Sequence, residues 1–176
     1  FEDRGGGILL WRDLPGKLRV SGGYTYRSTE IVDTAWPDIR PEGSTLDPYV
    51  TLGLEHDSRD IRYYPMKGLH LRLDGRFGGM GSDEVSAYSC YDLHGAGFYP
   101  VPYLGVVAGR MSFRLTDAPV PFYERSYLGG PDDLRGVDFS SVRGDQHYLA
   151  TVEIRRPVVV VPLREGRTIG LGAVSY

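Results

Sequence analysis

Apolar and polar residues alternate with a period of two along much of this 176-residue chain. In the segment LRVSGGYTYRS, Leu18, Val20 and Tyr24 fall on one face of an extended strand, and Arg19 and Ser21 fall on the other. The same alternation recurs in MKGLHLRLDGRFG, DPYVTLGLEHD and YLATVEIRRP, whereas no segment keeps a helical period. The pattern therefore predicts an all-β protein.

Eight strand candidates follow one another along the chain. They cover residues 6–12, 17–30, 46–58, 66–78, 85–99, 102–116, 146–161 and 167–176. Most connections between them are short and rich in turn-forming residues, but 117–145 is predicted to be a long loop. Strands joined in sequence by short turns form an antiparallel meander, and this is the predicted topology.

Several of the predicted strands reach about ten residues, which is longer than the five to six common in soluble proteins and long enough to cross a membrane at a tilt. Arg72, Asp74 and Arg76 share one strand face, which suits a water-filled lumen better than a dry core. Aromatic residues near strand ends are expected to form girdles at the two membrane surfaces: Tyr24, Tyr26, Tyr49, Tyr63, Tyr64, Tyr88, Phe98, Tyr99 and Tyr103. A soluble ligand-binding β-barrel alternates in the same way and is the competing prediction.

Composition narrows the range of functions. A net charge of −3 and a pI near 5.8 argue against nucleic acid as a partner. The single cysteine, Cys90, and four histidines without metal-ligand spacing predict neither a metal site nor any other cofactor. No nucleophile elbow, phosphate-binding loop or dinucleotide fingerprint occurs, so the chain is not expected to be an enzyme. Cys90 is expected to face the lumen and to be chemically inert.

Two stretches carry a family resemblance. PFYERSYLGGPDDLRGV, followed by GDQHYLATVEIRRPV, resembles the lumen loop and following strand of the bacterial surface antigen family, which includes the outer-membrane barrels of the BamA and TamA type and related secretion transporters. LEHDSRDIRYYPMKGLHLRLD resembles the strand–turn–strand motif that precedes this loop in the family. Together the two stretches form a fairly specific match, although Val137 stands where the family usually has an aromatic residue.

The resemblance implies that residues 1–176 are part of one outer-membrane β-barrel of about sixteen strands. An eight-stranded barrel has a lumen filled by its own side chains, so it could not also enclose the loop at 117–145. Periplasmic domains before residue 1 and further strands after residue 176 are accordingly expected to lie outside this chain. The implied location is the cell outer membrane of a Gram-negative-type bacterium.

The resemblance also implies the site residues. The loop motif consists of Gly129, Gly130, Leu134, Arg135 and Gly136, and its arginine is expected to anchor the loop inside the lumen. An arginine can make a planar, charge-assisted pair with a carboxylate of the barrel wall.

Glu153, on the polar face of its strand, is the expected partner of the loop arginine. The strand–turn motif is expected to be structural and consists of Asp57, Arg59, Asp60, Pro65 and Gly68.

By resemblance, the expected function is assembly, insertion or translocation of other proteins at the outer membrane. The expected partners are outer-membrane lipids, client outer-membrane or secreted proteins, and accessory lipoproteins or periplasmic domains. Two alternatives remain open: a barrel that anchors or exports an attached enzymatic, lipase-like domain, and the soluble ligand-binding β-barrel.

Overall fold

The computed structural model describes residues 2–30, 44–83, 85–130, 133–162 and 168–175. Its strands are β1 (Glu2–Leu14), β2 (Leu18–Glu30), β3 (Ser44–Asp57), β4 (Gly68–Gly78), β5 (Tyr88–Val101), β6 (Gly105–Thr116), β7 (Ser126–Leu128), β8 (Val142–Gly144), β9 (His147–Pro162) and β10 (Thr168–Ser175). A short 3-10 helix spans Phe122–Glu124. Within the described ranges, no helix is long and apolar enough to span a membrane.

The strands form one eight-stranded antiparallel sheet in the order β1-β2-β3-β4-β5-β6-β9-β10. The short strands β7 and β8 pair only with each other, inside the long connection between β6 and β9. Each strand of the large sheet thus pairs with the next one along the chain, and β6 pairs with β9 because the hairpin of β7 and β8 lies between them in the sequence. The predicted all-β class and antiparallel meander are confirmed.

The predicted strand boundaries hold to within about three residues, except at the first strand. The sequence predicts a strand at 6–12, but β1 runs from Glu2 to Leu14. The prediction was too short because the glycines at 5–7 and the charged residues before them show no apolar alternation. In the structure, β2 offers a partner along its whole length, and Glu2 pairs opposite Glu30. Residues 167 and 176 of the last predicted strand lie outside the described residues.

The two faces of the sheet differ sharply in polarity, because side chains alternate between them. On the outer face, Val20, Leu54, Leu73, Leu93 and Phe113 lie side by side in cross-strand register. Leu54 and Leu73 each remain 46% exposed, so this apolar row is not covered by any described element. The outer face is therefore the apolar face of the sheet.

The inner face carries the polar residues of the same strands. One row of it consists of Ser21, Gly53, Asp74, Asp92 and Arg114, which are paired in register across β2 to β6. Arg114 donates from Nε and Nη2 to the two carboxylate oxygens of Asp92, at 2.6 and 2.7 Å. The alternation seen in the sequence is thus the alternation between these two faces.

Among the described residues, the buried apolar core is small and lies against the inner face. Its main cluster consists of Val85, Tyr88, Cys90 and Val120, with Ala118 packed against it, and Val106 and Ala108 of β6 are also buried. Val120 and Ala118 belong to the start of the long loop, so this cluster joins the loop to the sheet. Cys90 is 1% exposed and lies on the inner face, opposite Arg76 of β4.

The prediction of aromatic girdles is wrong for three residues. Tyr49, Tyr88 and Phe98 lie on the inner face, where Tyr49 and Phe98 contact arginine side chains and Tyr88 is buried. Tyr24 and Tyr99 do lie on the outer face and are exposed. The prediction used only the closeness of these aromatic residues to strand ends and did not assign them to a face; their charged partners lie on the strands β2, β3, β4 and β9.

Candidate functional site

The long loop between β6 and β9 folds back on itself as a hairpin. Strands β7 and β8 pair with Ser126 opposite Gly144 and Leu128 opposite Val142. The 3-10 helix precedes β7 and forms the first arm of the loop. This pairing holds the glycine–arginine motif at the tip of the hairpin.

The glycines of the motif adopt backbone angles that favour glycine. Gly129, Gly130 and Gly136 have φ values of +139°, +90° and +83°. The Gly130 N–H donates to the carbonyl oxygen of Val137 at 2.9 Å, and the Val137 N–H donates to that of Leu134 at 3.2 Å. These bonds close the tip into a compact turn from which the side chain of residue 135 projects.

Arg135 and Glu153, which were predicted from the sequence to form a pair, are in contact. Arg135 Nη2 lies 3.1 Å from Glu153 Oε1, and the other oxygen of Glu153 accepts from Nε and Nη2 of Arg155 at 3.1 and 3.0 Å. The Glu153 residue is buried, whereas the Arg135 side chain is 38% exposed. The carboxylate of β9 therefore joins the tip of the loop to the wall, and the functional role of this pair stays a prediction.

The strand–turn motif lies at the other end of the sheet, in the connection between β3 and β4. Arg59 donates from Nε and Nη2 to the two oxygens of Asp57, at 2.8 and 2.7 Å. Pro65 is buried within the same connection. The motif is thus a compact turn, separate from the long loop.

Asp60 organises that turn through its backbone contacts. Its Oδ1 atom accepts from the N–H groups of Ile61, Met66 and Lys67 at 2.9, 3.0 and 3.3 Å. Desolvation opposes ionisation, but these N–H donors outweigh it and hold the pKa of Asp60 below its usual range. Because the pKa is lowered, the stabilisation of the turn by the charge is present at neutral pH and is lost as the pH falls through that value.

Gly68 ends this turn with a φ of +111°, and a Cβ there would lie 2.8 Å from Arg59 Cα. Gly68→Ala is therefore expected to destabilise the folded protein by about 1–3 kcal/mol through backbone strain. Urea unfolding of the full-length protein in detergent measures the change. Gly109→Ala is the matched control, because nothing lies within 4 Å of the added Cβ. Equal stability of the two variants would contradict the role given to Gly68.

Sequence reasoning missed a second attachment of the loop, at Glu124. Its carboxylate accepts from Nη2 of Arg27 on β2 and from Nη1 of Arg76 on β4. Its carbonyl oxygen accepts from Nη1 of Arg114 on β6 at 2.9 Å. The Glu124 side chain is only 2% exposed. One loop residue thus contacts three arginines on three strands.

The surroundings of Arg27 complete this cluster. Asp47 lies 3.0 Å from Arg27 Nη2, and its carboxylate also accepts from the Tyr88 hydroxyl at 2.7 Å. The guanidinium carbon of Arg27 lies 5.2 Å from the ring centre of Tyr49 and 4.5 Å from that of Tyr123. The sequence signal was the glutamate of PFYER, but its partner Arg27 is 97 positions away, so spacing alone does not indicate the contact.

A third attachment joins the hairpin to the wall through His147 on β9. The Ser126 hydroxyl lies 2.6 Å from Nδ1 of His147, and the Ser112 hydroxyl of β6 lies 2.9 Å from Nε2. The imidazole therefore bridges the loop strand β7 and the sheet. None of these three residues was predicted as a site residue.

One group in the described part of the chain brings metal-type ligand atoms together. Ligand atoms of Glu55, Asp57 and His70 lie within 4.8 Å of one another on the inner face. His70 Nε2 lies 2.9 Å from Glu55 Oε1, and Asp57 is paired with Arg59. These contacts satisfy the carboxylates without an ion, so the group forms a set of polar pairs within the protein.

The fold and the docked loop define a class of protein: a portion of an antiparallel outer-membrane-type β-barrel with a loop folded onto its inner face. Residues 2–172 match the model of the Omp85 superfamily domain, and the chain belongs to that superfamily. The fold is similar to the crystal structure of BamA from Haemophilus ducreyi lacking POTRA domains 1–3, with a TM-score of 0.70 and 16% sequence identity. The match covers 98% of this chain and 41% of that BamA chain.

Proposed function

We propose that this chain is part of an outer-membrane barrel that inserts or translocates other proteins. The observation that carries the proposal is the Arg135 loop, docked on the inner face through Glu153, in a chain of the Omp85 superfamily. The exposed apolar outer face supports a lipid environment, because a sheet with one apolar and one polar face fits a membrane barrel with a wet interior. The proposed location is the outer membrane of a Gram-negative-type bacterium.

The proposed domain organisation follows from the open sheet. In the described residues, β1 and β10 are the end strands and each has one neighbour. We propose that residues 1–176 form part of one larger barrel, of about sixteen strands, whose other strands complete both edges. Periplasmic domains of the same protein and accessory lipoproteins are proposed partners.

The proposed mechanism is noncovalent. A client strand in hydrocarbon must satisfy its backbone N–H and carbonyl groups, and an exposed strand edge can supply those partners by strand addition. The wall residues and the docked loop hold the barrel in a defined shape while this occurs. The proposed protein lowers a barrier to insertion and carries out no bond chemistry.

A reconstitution tests the proposal directly. The full-length protein, placed in vesicles of bacterial phospholipid, is expected to accelerate membrane insertion of a urea-unfolded client barrel. Insertion is measured by the heat-modifiable mobility of the client and its protection from protease. Insertion no faster than in vesicles that hold an unrelated porin would contradict the proposal. Hydrolysis of a lipid ester in the same vesicles would instead favour an attached lipase-like domain.

Glu153→Gln is expected to slow client insertion by about two- to threefold. This is a smaller effect than the one expected for loss of the loop arginine. The glutamine keeps one acceptor oxygen in place of the two that serve Arg135 and Arg155 separately, and it removes the charge that both guanidinium groups face. The same vesicle assay measures the change. A fully active variant would show that the main partner of Arg135 lies outside this chain.

A further inference from the structure

Two of the three attachments of the loop, at Arg135 and at Glu124, lie on different parts of the sheet. Its tip meets β9 through Arg135 and Glu153, whereas its first arm meets β2 and β4 through Glu124. Strands β4 and β9 are separated by β5 and β6 in the sheet order. The loop therefore spans the inner face between these two attachments.

The two attachments differ in burial. At the tip, the Arg135 side chain is 38% exposed, and its partner Glu153 also pairs with Arg155. At the first arm, the Glu124 side chain is 2% exposed and the side chains of Arg27 and Arg76 are 16% and 31% exposed. A charge pair removed from water is screened less by solvent and salt than an exposed one.

The consequences of losing one partner also differ. Glu153 keeps Arg155 when Arg135 is removed. Without the Glu124 charge, Arg27 keeps Asp47, whereas Arg76 and Arg27 are left side by side over the ring of Tyr49. Breaking a buried pair by removing one partner leaves an uncompensated charge, which is strongly unfavourable.

We infer that Glu124 is a positioning residue of this protein: its charge, clamped between Arg27 and Arg76, holds the first arm of the loop on the wall independently of Arg135. This inference rests on one part of the proposed function, which is the position of the loop in the barrel lumen. No client protein is needed to test it, so its failure is distinguishable from a failure of the insertion proposal.

The chain contains its own reporter of the first arm. Cys90, its single cysteine, is 1% exposed and packs with Val120 under the start of the loop. It also lies directly opposite Arg76 in the β4–β5 register. If the first arm leaves the wall, Cys90 becomes accessible to a small thiol reagent from the lumen.

The test measures the rate at which N-ethylmaleimide labels Cys90 in outer-membrane vesicles that contain the full-length protein, with the modified peptide identified by mass. Glu124→Gln is expected to raise this rate about tenfold or more, because the arm opens locally while the sheet stays folded. Glu124→Asp keeps the charge and is expected to restore most of the protection. Heat-modifiable mobility of each variant verifies that the barrel is folded.

Two controls separate the inference from a general effect on the loop. Asp145→Asn removes the same charge from the same loop at an ion pair with Arg125, where the Asp145 side chain is 37% exposed, and is expected to leave labelling within about twofold. Arg135→Ala is also expected to leave it within about twofold, because the tip opens separately. Unchanged labelling in Glu124→Gln, or an equal rise in Arg135→Ala, would overturn the inference.

Discussion

Arg135→Ala is expected to slow client insertion by at least about fivefold while the barrel remains folded. A factor of about five is the lower end of the range by which one site of a protein typically changes the affinity of another. The substitution removes the guanidinium that lies 3.1 Å from Glu153 and so releases the tip of the loop from β9. The barrel strands keep their own hydrogen bonds, because the sheet pairs without the loop. The vesicle insertion assay gives the rate, and heat-modifiable mobility reports the barrel.

Arg125→Ala is the matched control for this experiment. Arg125 belongs to the same loop, has a side chain of similar exposure at 36%, and lies 3.1 Å from the loop residue Asp145. Its removal cuts a contact within the loop and leaves the Glu153 contact intact, so insertion is expected to stay near the wild-type rate. A fully active Arg135→Ala protein would refute the role of Arg135 as an anchor.

The second large effect is expected on the outer face. Leu73 lies near the centre of β4, between Leu54 and Leu93 in the exposed apolar row. Leu73→Arg places a charge against lipid, and a charge at the midplane of a barrel wall costs about 2–4 kcal/mol. We expect the free energy of unfolding in phospholipid vesicles to fall by that amount, as measured by guanidinium titration of tryptophan emission.

Ser21→Arg is the control for the charge itself. Ser21 lies on the inner face, where it borders a cavity lined also by Arg72, Asp74 and Asp92. A guanidinium there meets carboxylates and a wet interior, so the loss of stability is expected to stay below about 1 kcal/mol. If the two variants unfold alike, the assignment of the outer face to lipid is wrong.

The sequence by itself determined most of the strands and the two faces of each. Successive side chains of an extended segment point to opposite faces, so the alternation of apolar and polar residues indicates the faces of a strand from the local sequence alone. Turn-forming residues mark where the strands end. The apolar side of β2, with Val20, and its polar side, with Ser21, therefore follow from the alternation alone. The contact between Arg135 and Glu153 was also anticipated, but through a family motif and not through spacing.

Only the tertiary structure decided which charges meet across long stretches of chain. Arg27 and Glu124 are 97 positions apart, and the sequence around each residue does not indicate that the two side chains are in contact. The contact of Tyr49 with Arg27 and that of Tyr88 with Asp47 likewise join residues of different strands. Period and composition describe each strand alone, whereas a buried ion cluster exists only when the sheet and the loop close on one another.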